Sequence, residues 1–461
     1  MRVLLVVYDN DAYMHSFPLG LAYIASWLID AGYDVEIYNQ DMYHYPDDHL
    51  RTFLDNNKFD AVGLGFVGGY YQYRKVLSLS KAINRSKNRP FYMIGGHGPT
   101  PEPEFFIRKM QADAVVMGEG EVTVVKLLDA LGGKKPLKEV MGIAFCDGDK
   151  VVINERRPLI ENINDIPLPA YHLFPMEYYR LLRKPNAAAK DFTMNILSGR
   201  GCNFKCNFCY RMDEGLRIRS NEHIIDEIKF LQSEYDISYF AFADELLMTS
   251  IERTESICND MIKAKLGIKW LCSGRLNYAK PSLLTLMAKA GCVYLSYGIE
   301  CIDDQVLKNM KKGLTTKIIA KGIEATLAAG ISPGFNIIFG SIGETRETLN
   351  KGVEFLIKYE DGVELRTIRP VTPYPGSPLY YYAIDKGLLK DCEDFYENKH
   401  INSDLLSVNL TELSDEEFYQ ALSDANKRLT KNYFMNKMNI ALDEIEKLYS
   451  EKNATFRGFR Q

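Results

Sequence analysis

Cys202, Cys206 and Cys209 lie in the run Ser198-Gly199-Arg200-Gly201-Cys202-Asn203-Phe204-Lys205-Cys206-Asn207-Phe208-Cys209-Tyr210. The C-x3-C-x2-C spacing puts three thiols on one short segment, and thiolates are the ligands of iron–sulfur clusters. Three of them hold three irons of a cubane and leave the fourth without a protein ligand, which is what an iron that binds a reactant requires. Two plainer readings stand beside this one. Offsets of 0, 4 and 7 residues share one face of a helix, which would make the thiols a buried stripe. A three-cysteine zinc site uses the same residue types, although zinc pairs are usually spaced C-x2-C. Gly201, Asn203 and Asn207 speak against a regular packed helix and favour the cluster.

The elements that must position these thiols form an alternating series. From Met194–Leu197 onward, strand patterns recur at Tyr239–Ala243, Lys269–Cys272, Val293–Gly298, Phe335–Phe339 and Glu364–Arg369, with helical patterns between them. Six strand–helix repeats are two short of a closed eightfold barrel, so the expectation is a partial (β/α)6 barrel. Reacting groups in such barrels gather where strands end, and the cysteine run follows the first strand. Polar groups recur at the same edge: Asp244-Glu245, Ser273-Gly274-Arg275, Gly298-Ile299-Glu300, Gly340 to Thr345, and Pro373 to Ser377. Each alone is weak, since Glu300 could serve an ion pair and Gly340 and Gly343 a tight turn. Together, in register with the cysteines, they mark a site.

An earlier series occupies residues 1 to about 135. Candidate strands Val3–Val7, Val35–Tyr38, Ala61–Gly65, Phe91–Ile94 and Ala114–Met117 alternate with helical patterns at Leu19–Ala31, Tyr71–Asn84 and Glu121–Leu131. Continuous apolar strands separated by helices predict a Rossmann-like, doubly wound parallel sheet. A hairpin, Gly142–Cys146 and Val151–Ile153 around Asp147-Gly148-Asp149, closes it. Ligands of such sheets bind beyond the strands' carboxyl ends at the switch point. There the chain places Tyr8 to His15, Pro18-Leu19-Gly20, Gly65 to Gly69, Gly95-Gly96-His97 and Gly118-Glu119-Gly120-Glu121. Glycines at four strand ends let backbone approach a flat, bulky ligand; glycines that only make turns are the plainer reading. No G-x-G-x-x-G follows the first strand, which weakens a dinucleotide assignment.

The expected domains are therefore residues 1–155, a Pro-containing linker 156–190 around Ile166-Pro167-Leu168-Pro169, the barrel 191–384 and a helical C-terminal region 385–461. That last region is expected to cover the barrel mouth and help set specificity. The tail Lys452 to Arg460 reads as a solvated terminus. The net charge of -5 exerts no general pull toward nucleic acid, and no run approaches a membrane span. Nine cysteines without a regular framework and no signal-like start fit a reducing cytoplasm. Tyr374, Tyr380, Tyr381 and Tyr382 cluster after the last strand, as pocket wall or, more simply, as packing.

Over roughly residues 190–380 the chain resembles the radical S-adenosylmethionine superfamily, whose signature is C-x3-C-x2-C with an aromatic residue, here Phe208, before the last cysteine. The resemblance implies that Cys202, Cys206 and Cys209 ligate a [4Fe–4S] cluster whose open iron chelates S-adenosylmethionine. Asp244-Glu245 matches the segment that meets the methionyl amino group, and Arg275 and Glu300 match positions near the ribose or carboxylate. Gly340 to Thr345 looks like the family's G-x-P-G-E-T turn with Ile342 in place of Pro, and Asn203 replaces a frequent Pro. The first domain resembles the cobalamin-binding domain of the B12-dependent members, through Pro18, Leu19 and Gly20, Gly68, Gly95, Gly96 and His97, and Gly118, Glu119 and Glu121. No D-x-H-x-x-G corrinoid motif is present, so a lower histidine ligand to cobalt is not implied. Methylthiotransferases carry three further N-terminal cysteines, whereas the first cysteine here is Cys146.

The activity implied is methylation of an unactivated carbon of a small-molecule or peptide substrate. It would run through a 5′-deoxyadenosyl radical and methylcobalamin, with electrons from a donor such as flavodoxin or ferredoxin. The same motifs serve B12-dependent cyclases and ring-rearranging or oxidative enzymes, and a non-catalytic corrinoid- or metal-binding sensor is the reading from another class. No individual catalytic side chain is implied.

Overall fold

The computed structural model describes residues 1–11, 16–212 and 215–452. The expected loop Tyr8 to His15 and the C-terminal tail therefore fall partly outside the described residues. The chain divides into two compact units. The first comprises Met1–Leu182, Phe192–Glu245 and Thr372–Val408; the second comprises Arg183–Asp191, Leu246–Val371 and the chain from Asn409 onward.

In the first unit, β1 (Arg2–Val7), β2 (Asp34–Asn39), β3 (Ala61–Gly65), β4 (Phe91–Gly95) and β5 (Ala114–Val116) run parallel, and β6 (Ile143–Asp147) and β7 (Lys150–Ile153) add an antiparallel hairpin. The order is β2-β1-β3-β4-β5-β6-β7. Val3, Leu4, Leu5 and Val6 are all buried, because helices cover both faces of the sheet. On one face Ala25 and Leu28 of the helix Leu19–Asp30 and Val124, Leu127 and Leu128 of the helix Gly120–Leu131 pack over Val3, Leu5 and Met93. β1 pairs with β2 on one side and β3 on the other, so the connections reverse there and the loops after β1 and β3 diverge into a crevice.

The proline segment between the two strand series is hydrogen-bonded rather than loose. Ala170 N–H donates to the Ala22 carbonyl at 3.0 Å, and Ser26 Oγ donates to the Leu168 carbonyl at 2.7 Å. Buried Tyr171 donates to Glu227 at 2.6 Å, and Glu227 also pairs with Arg219. The segment thereby ties the helix Leu19–Asp30 to the helix Asn221–Tyr235 that follows the cysteine loop.

The second series contains β8 (Thr193–Ile196), a short antiparallel ribbon of β9 (Gly199–Gly201) and β10 (Leu216–Ile218), then β11 (Tyr239–Phe242), β12 (Lys269–Gly274), β13 (Cys292–Glu300), β14 (Ser332–Phe339) and β15 (Arg369–Pro370). Its strands order as β11-β8 in the first unit and as β15-β14-β13-β12 in the second, the open parallel strand set of the expected partial barrel. Within the first unit β8 and β11 pair in parallel; within the second, β12 to β15 do. The sixth strand departs from expectation. Instead of Glu364–Arg369, only Arg369 and Pro370 pair, with Ile338 and Phe339. Just upstream, Ile368 N–H donates to Asn426 Oδ1 at 2.8 Å and Asn426 Nδ2 donates back to the Ile368 carbonyl at 2.9 Å. A side chain of the long helix Asp415–Glu451 thus takes the bonds a neighbouring strand would have made, and Pro370 has no N–H to extend the ladder.

That helix starts at the N-cap Ser414 with a capping box to Glu417. Phe418 stacks on Phe339 with ring centroids 4.7 Å apart. Among the described residues no helix is long and apolar enough to cross a membrane. Replacing Asn426 by Ala strands both polar groups of Ile368; at roughly 1 kcal/mol for each lost bond, stability falls by about 2 kcal/mol, read as a lower thermal midpoint in calorimetry.

Candidate functional site

The cysteine loop leaves β9 in irregular conformation: residues 202–209 contain no helix, so the thiols are not a helical stripe. Cys206 is buried, Cys202 half-buried and Cys209 exposed. Gly201, just before Cys202, has φ +87°, and a Cβ there would run into the Gly215 carbonyl, so only glycine serves. The loop is anchored at both ends. Ser198 donates both its N–H, at 2.7 Å, and its hydroxyl to the Asp244 carboxylate. Gly201 N–H donates to Glu245 at 3.1 Å, and Leu379 N–H donates to the Asn207 carbonyl at 2.9 Å. Burial pushes the Asp244 carboxyl up to about 6, against the hydrogen bonds that Ser198 and Gly199 donate to it.

Asp244 and Glu245, adjacent in sequence, do different work. Asp244 is turned into the protein and pins β9. Glu245 and Ala243, two residues apart and so on one side of the extended chain, line a cavity. This cavity, of about 570 Å³, sits in the first unit beyond the carboxyl ends of β1, β3, β4 and β5. Pro18, Leu19 and Gly20, Gly95, Gly96 and His97, and Gly118, Glu119 and Glu121 form its walls on the sheet side. Arg200, Gly201, Cys202, Tyr210 and Arg211 form the wall on the cysteine side. The structure therefore brings nine of the ten expected corrinoid-side residues together with the first cysteine. Gly68 is the exception. It does not line the cavity; a Cβ on it would stand 3.6 Å from the Tyr374 ring, an ordinary van der Waals contact.

Gly96 serves close packing within the protein, the plainer of the two readings of these glycines. A Cβ on Gly96, at φ +102°, would lie 2.6 Å from the Phe66 carbonyl, whereas one on Gly20 would meet nothing within 4 Å. The exposed ring of His97 stands edge-on to Tyr210, 6.4 Å between centroids. The Gly-bearing wall is open and includes Cys202, so a flat ligand seated there would border the cysteine loop.

One ion-pair network was not foreseen. Arg200 donates to Glu119 at 2.8 Å and to Glu121 at 2.5 Å, and Arg217 of β10 donates to Glu119 at 2.9 Å. All four side chains are largely buried. Burial opposes ionisation of Glu119, but hydrogen bonds from Arg217, the Ile160 N–H and Arg200 outweigh it and hold the carboxyl below its usual range. The Gly-Glu-Gly-Glu segment after β5 thus grips the ribbon that carries the cysteines. Its only sequence cue was an arginine two residues before a cluster-type cysteine.

Arg275 and Glu300 belong to the second unit and are engaged there. Arg275 is buried, bonded to Asn277 Oδ1 at 3.1 Å and to the Lys312 carbonyl. Glu300, at φ +69° where β13 bulges against β14, accepts from Lys312 Nζ at 2.8 Å. The Gly340 to Thr345 turn closes on itself: Glu344 accepts from the Gly340 and Ser341 N–H groups at 2.7 and 2.8 Å. Phe208 lies on the loop beside Cys209 and outside the cavity wall. Tyr374 and Tyr380 pack with Phe395 around buried His400, while Tyr381 and Tyr382 are exposed.

Comparison with known proteins agrees with this geometry. Residues 196–356 match the Radical SAM superfamily domain and residues 5–128 the B12 binding domain. Over 400 residues the chain is 30% identical to an uncharacterized methyltransferase of Pyrococcus horikoshii, covering 84% of each. It is 27% identical over 390 residues to the anaerobic magnesium-protoporphyrin IX monomethyl ester cyclase of Rubrivivax gelatinosus, covering 82% of this chain and 68% of that one. The fold matches that of TsrM, a radical S-adenosylmethionine methyltransferase from Kitasatospora setae with cobalamin and [4Fe-4S] cluster bound. The TM-score is 0.73 at 16% identity, over 93% of this chain and 88% of that one.

Two outcomes follow from the electrostatics. Arg200→Gln leaves Glu121 buried without its cation, which costs about 3–5 kcal/mol and loosens the loop, measurable as faster hydrogen exchange over residues 199–209. Burial raises Glu344 from 4.5 to about 7, so the folded state holds its proton more tightly than the unfolded chain does. Its stabilising contribution is full below pH 4.5 and is lost as pH rises through about 7. The thermal midpoint of wild type should therefore fall relative to that of Glu344→Gln between pH 5 and 7.5.

Proposed function

We propose, for a chain that belongs to the radical SAM superfamily and carries its B12-binding domain, that the reaction is methylation of an unactivated carbon. The observation that carries this reading is a cavity walled both by the Gly-bearing strand ends of the B12-binding sheet and by Cys202. The family's cofactors are a [4Fe–4S] cluster, S-adenosylmethionine and cobalamin. When bound, the cluster with S-adenosylmethionine supplies one-electron activation of carbon, and cobalamin supplies a carrier for the methyl group.

In this reading Cys202, Cys206 and Cys209 are the cluster ligands. Glu245 presents a carboxylate in the cavity wall where a methionyl ammonium is to be met. Asp244 acts one step behind, fixing Ser198 and so the entry of the loop. Phe208, Arg275 and Glu300 complete the S-adenosylmethionine side. Pro18 to Gly20, Gly95 to His97 and Gly118 form the corrinoid wall, with Glu119 and Glu121 positioning Arg200. The domains are residues 1–155, the linker 156–190, the barrel 191–384 and the helical region 385–461. The substrate is a small molecule or a peptide. The electron donor is a flavodoxin- or ferredoxin-like protein, and the setting is the cytoplasm.

A second reading keeps the cofactors and changes the outcome: the Rubrivivax gelatinosus relative is named as a cyclase. Product mass separates the two. Methylation adds one methylene unit, and cyclisation removes two hydrogens. Cofactor content tests the assignments without a substrate. After anaerobic reconstitution, Cys206→Ala should lose the cluster's iron and visible absorbance while still binding hydroxocobalamin, whose wall it leaves intact. Full iron retention in that variant would refute the ligand set, and wild type forming no 5′-deoxyadenosine in any substrate screen would refute the radical reading.

A further inference from the structure

Two arginines line the cavity of the first unit, and only one of them has its charge met. Arg200 is held by Glu119 and Glu121. Arg211 is half-buried in the same wall as Cys202 and Glu245, and among the described residues it makes no hydrogen bond or ion pair. The chain on either side of it is fixed. Tyr210 packs against Gly376, where a Cβ would lie 2.5 Å from its ring, and the Met212 carbonyl accepts from Arg156 Nη1 at 3.4 Å. Lys205, between the first two cysteines, is exposed, so water and salt screen its charge. Arg211 is thus a held, poorly screened cation on the cysteine wall.

Such a cation calls for an anion. The densest negative charge that the proposed function puts on this wall is the cluster, with three thiolates and one more electron after reduction. Arg211 follows Cys209 by two residues, so their Cα atoms lie within about 7 Å. Charge around an iron–sulfur cluster sets its reduction potential. A unit charge on the order of 10 Å away, at an effective dielectric near 20, changes a one-electron equilibrium about tenfold. Glu245, on the same wall, acts in the opposite sense, which leaves Arg211 to offset it. A ligand that fills the cavity expels water from between the charges and strengthens the attraction.

We infer that Arg211 tunes the cluster: its charge stabilises the reduced form and raises the potential at which the cluster accepts an electron from the donor protein. This rests on the cluster assigned above to Cys202, Cys206 and Cys209. The test is a redox titration of the reconstituted, cobalamin-loaded protein without S-adenosylmethionine, read from the low-temperature electron paramagnetic resonance signal of the reduced cluster. In Arg211→Gln, at the iron and sulfide content of wild type, the ratio of reduced to oxidised cluster at a given potential should fall about tenfold, a midpoint about 59 mV lower. Arg211→Lys keeps the charge and should retain most of the wild-type potential. A midpoint that stays or rises in Arg211→Gln overturns the inference, and so does one that falls equally in Arg211→Lys. An unmoved midpoint with weakened binding of S-adenosylmethionine would give the guanidinium to the methionyl carboxylate, and with weakened binding of hydroxocobalamin to the corrinoid; both overturn it. Loss of iron from Arg211→Gln would make the residue a brace of the loop and overturn it equally. Wild-type protein that assembles no iron cluster would refute the ligand set, and the inference with it.

Discussion

The guanidinium of Arg200 lies between the carboxylates of Glu119 and Glu121, and the rest of the site depends on that contact. Arg200 precedes Gly201-Cys202, and the two glutamates belong to the turn after β5. One buried ion-pair network therefore sets where the cysteine loop stands relative to the strand ends of the first sheet. A buried network of this kind contributes little net stability, because desolvation offsets most of the Coulomb gain. Its value is in position. A charge left unpaired there is costly, so few alternative placements of the loop compete.

The other anchors make sense around that contact. Asp244 holds Ser198, Glu245 meets the Gly201 N–H, and the backbone of Leu379 meets Asn207. None of these requires the loop to be helical, and Gly201 makes a helix sterically unsuitable at its entry. The reversal of strand order at β1 opens the crevice, and glycines at the ends of β3, β4 and β5 keep its floor low. A site for two large cofactors needs both a wide floor and a firmly held rim.

Much of this was legible in the sequence for physical reasons. Continuous apolar strands alternate with helices because both sheet faces are buried, and that pattern is local. Cysteine spacing is local as well. What escaped was set by distant partners. Arg200 meets glutamates 81 and 79 residues away, which no window along the chain reveals. The last strand shrank because Asn426, 58 residues on, takes the bonds of Ile368. Gly68 shares the glycine-rich loop after β3 but stands beside Tyr374 outside the cavity wall, a placement its local sequence does not reveal. Asp244-Glu245 is legible as a polar pair at a strand end, but which of two alternating acids faces the cavity depends on the orientation of the strand end, and that is a tertiary fact.

In the proposed function, one cavity in the first unit brings a corrinoid and a three-cysteine cluster to a common boundary. Anomalous diffraction from anaerobic crystals of the loaded protein, at the cobalt and iron absorption edges, measures this directly. A cobalt peak is expected inside the cavity walled by Gly20, Gly96 and Gly118, and an iron peak at Cys206, Cys209 and Cys202, the last of which lines that cavity. Cobalt bound away from these strand ends, or a metal other than iron on the three cysteines, would contradict it.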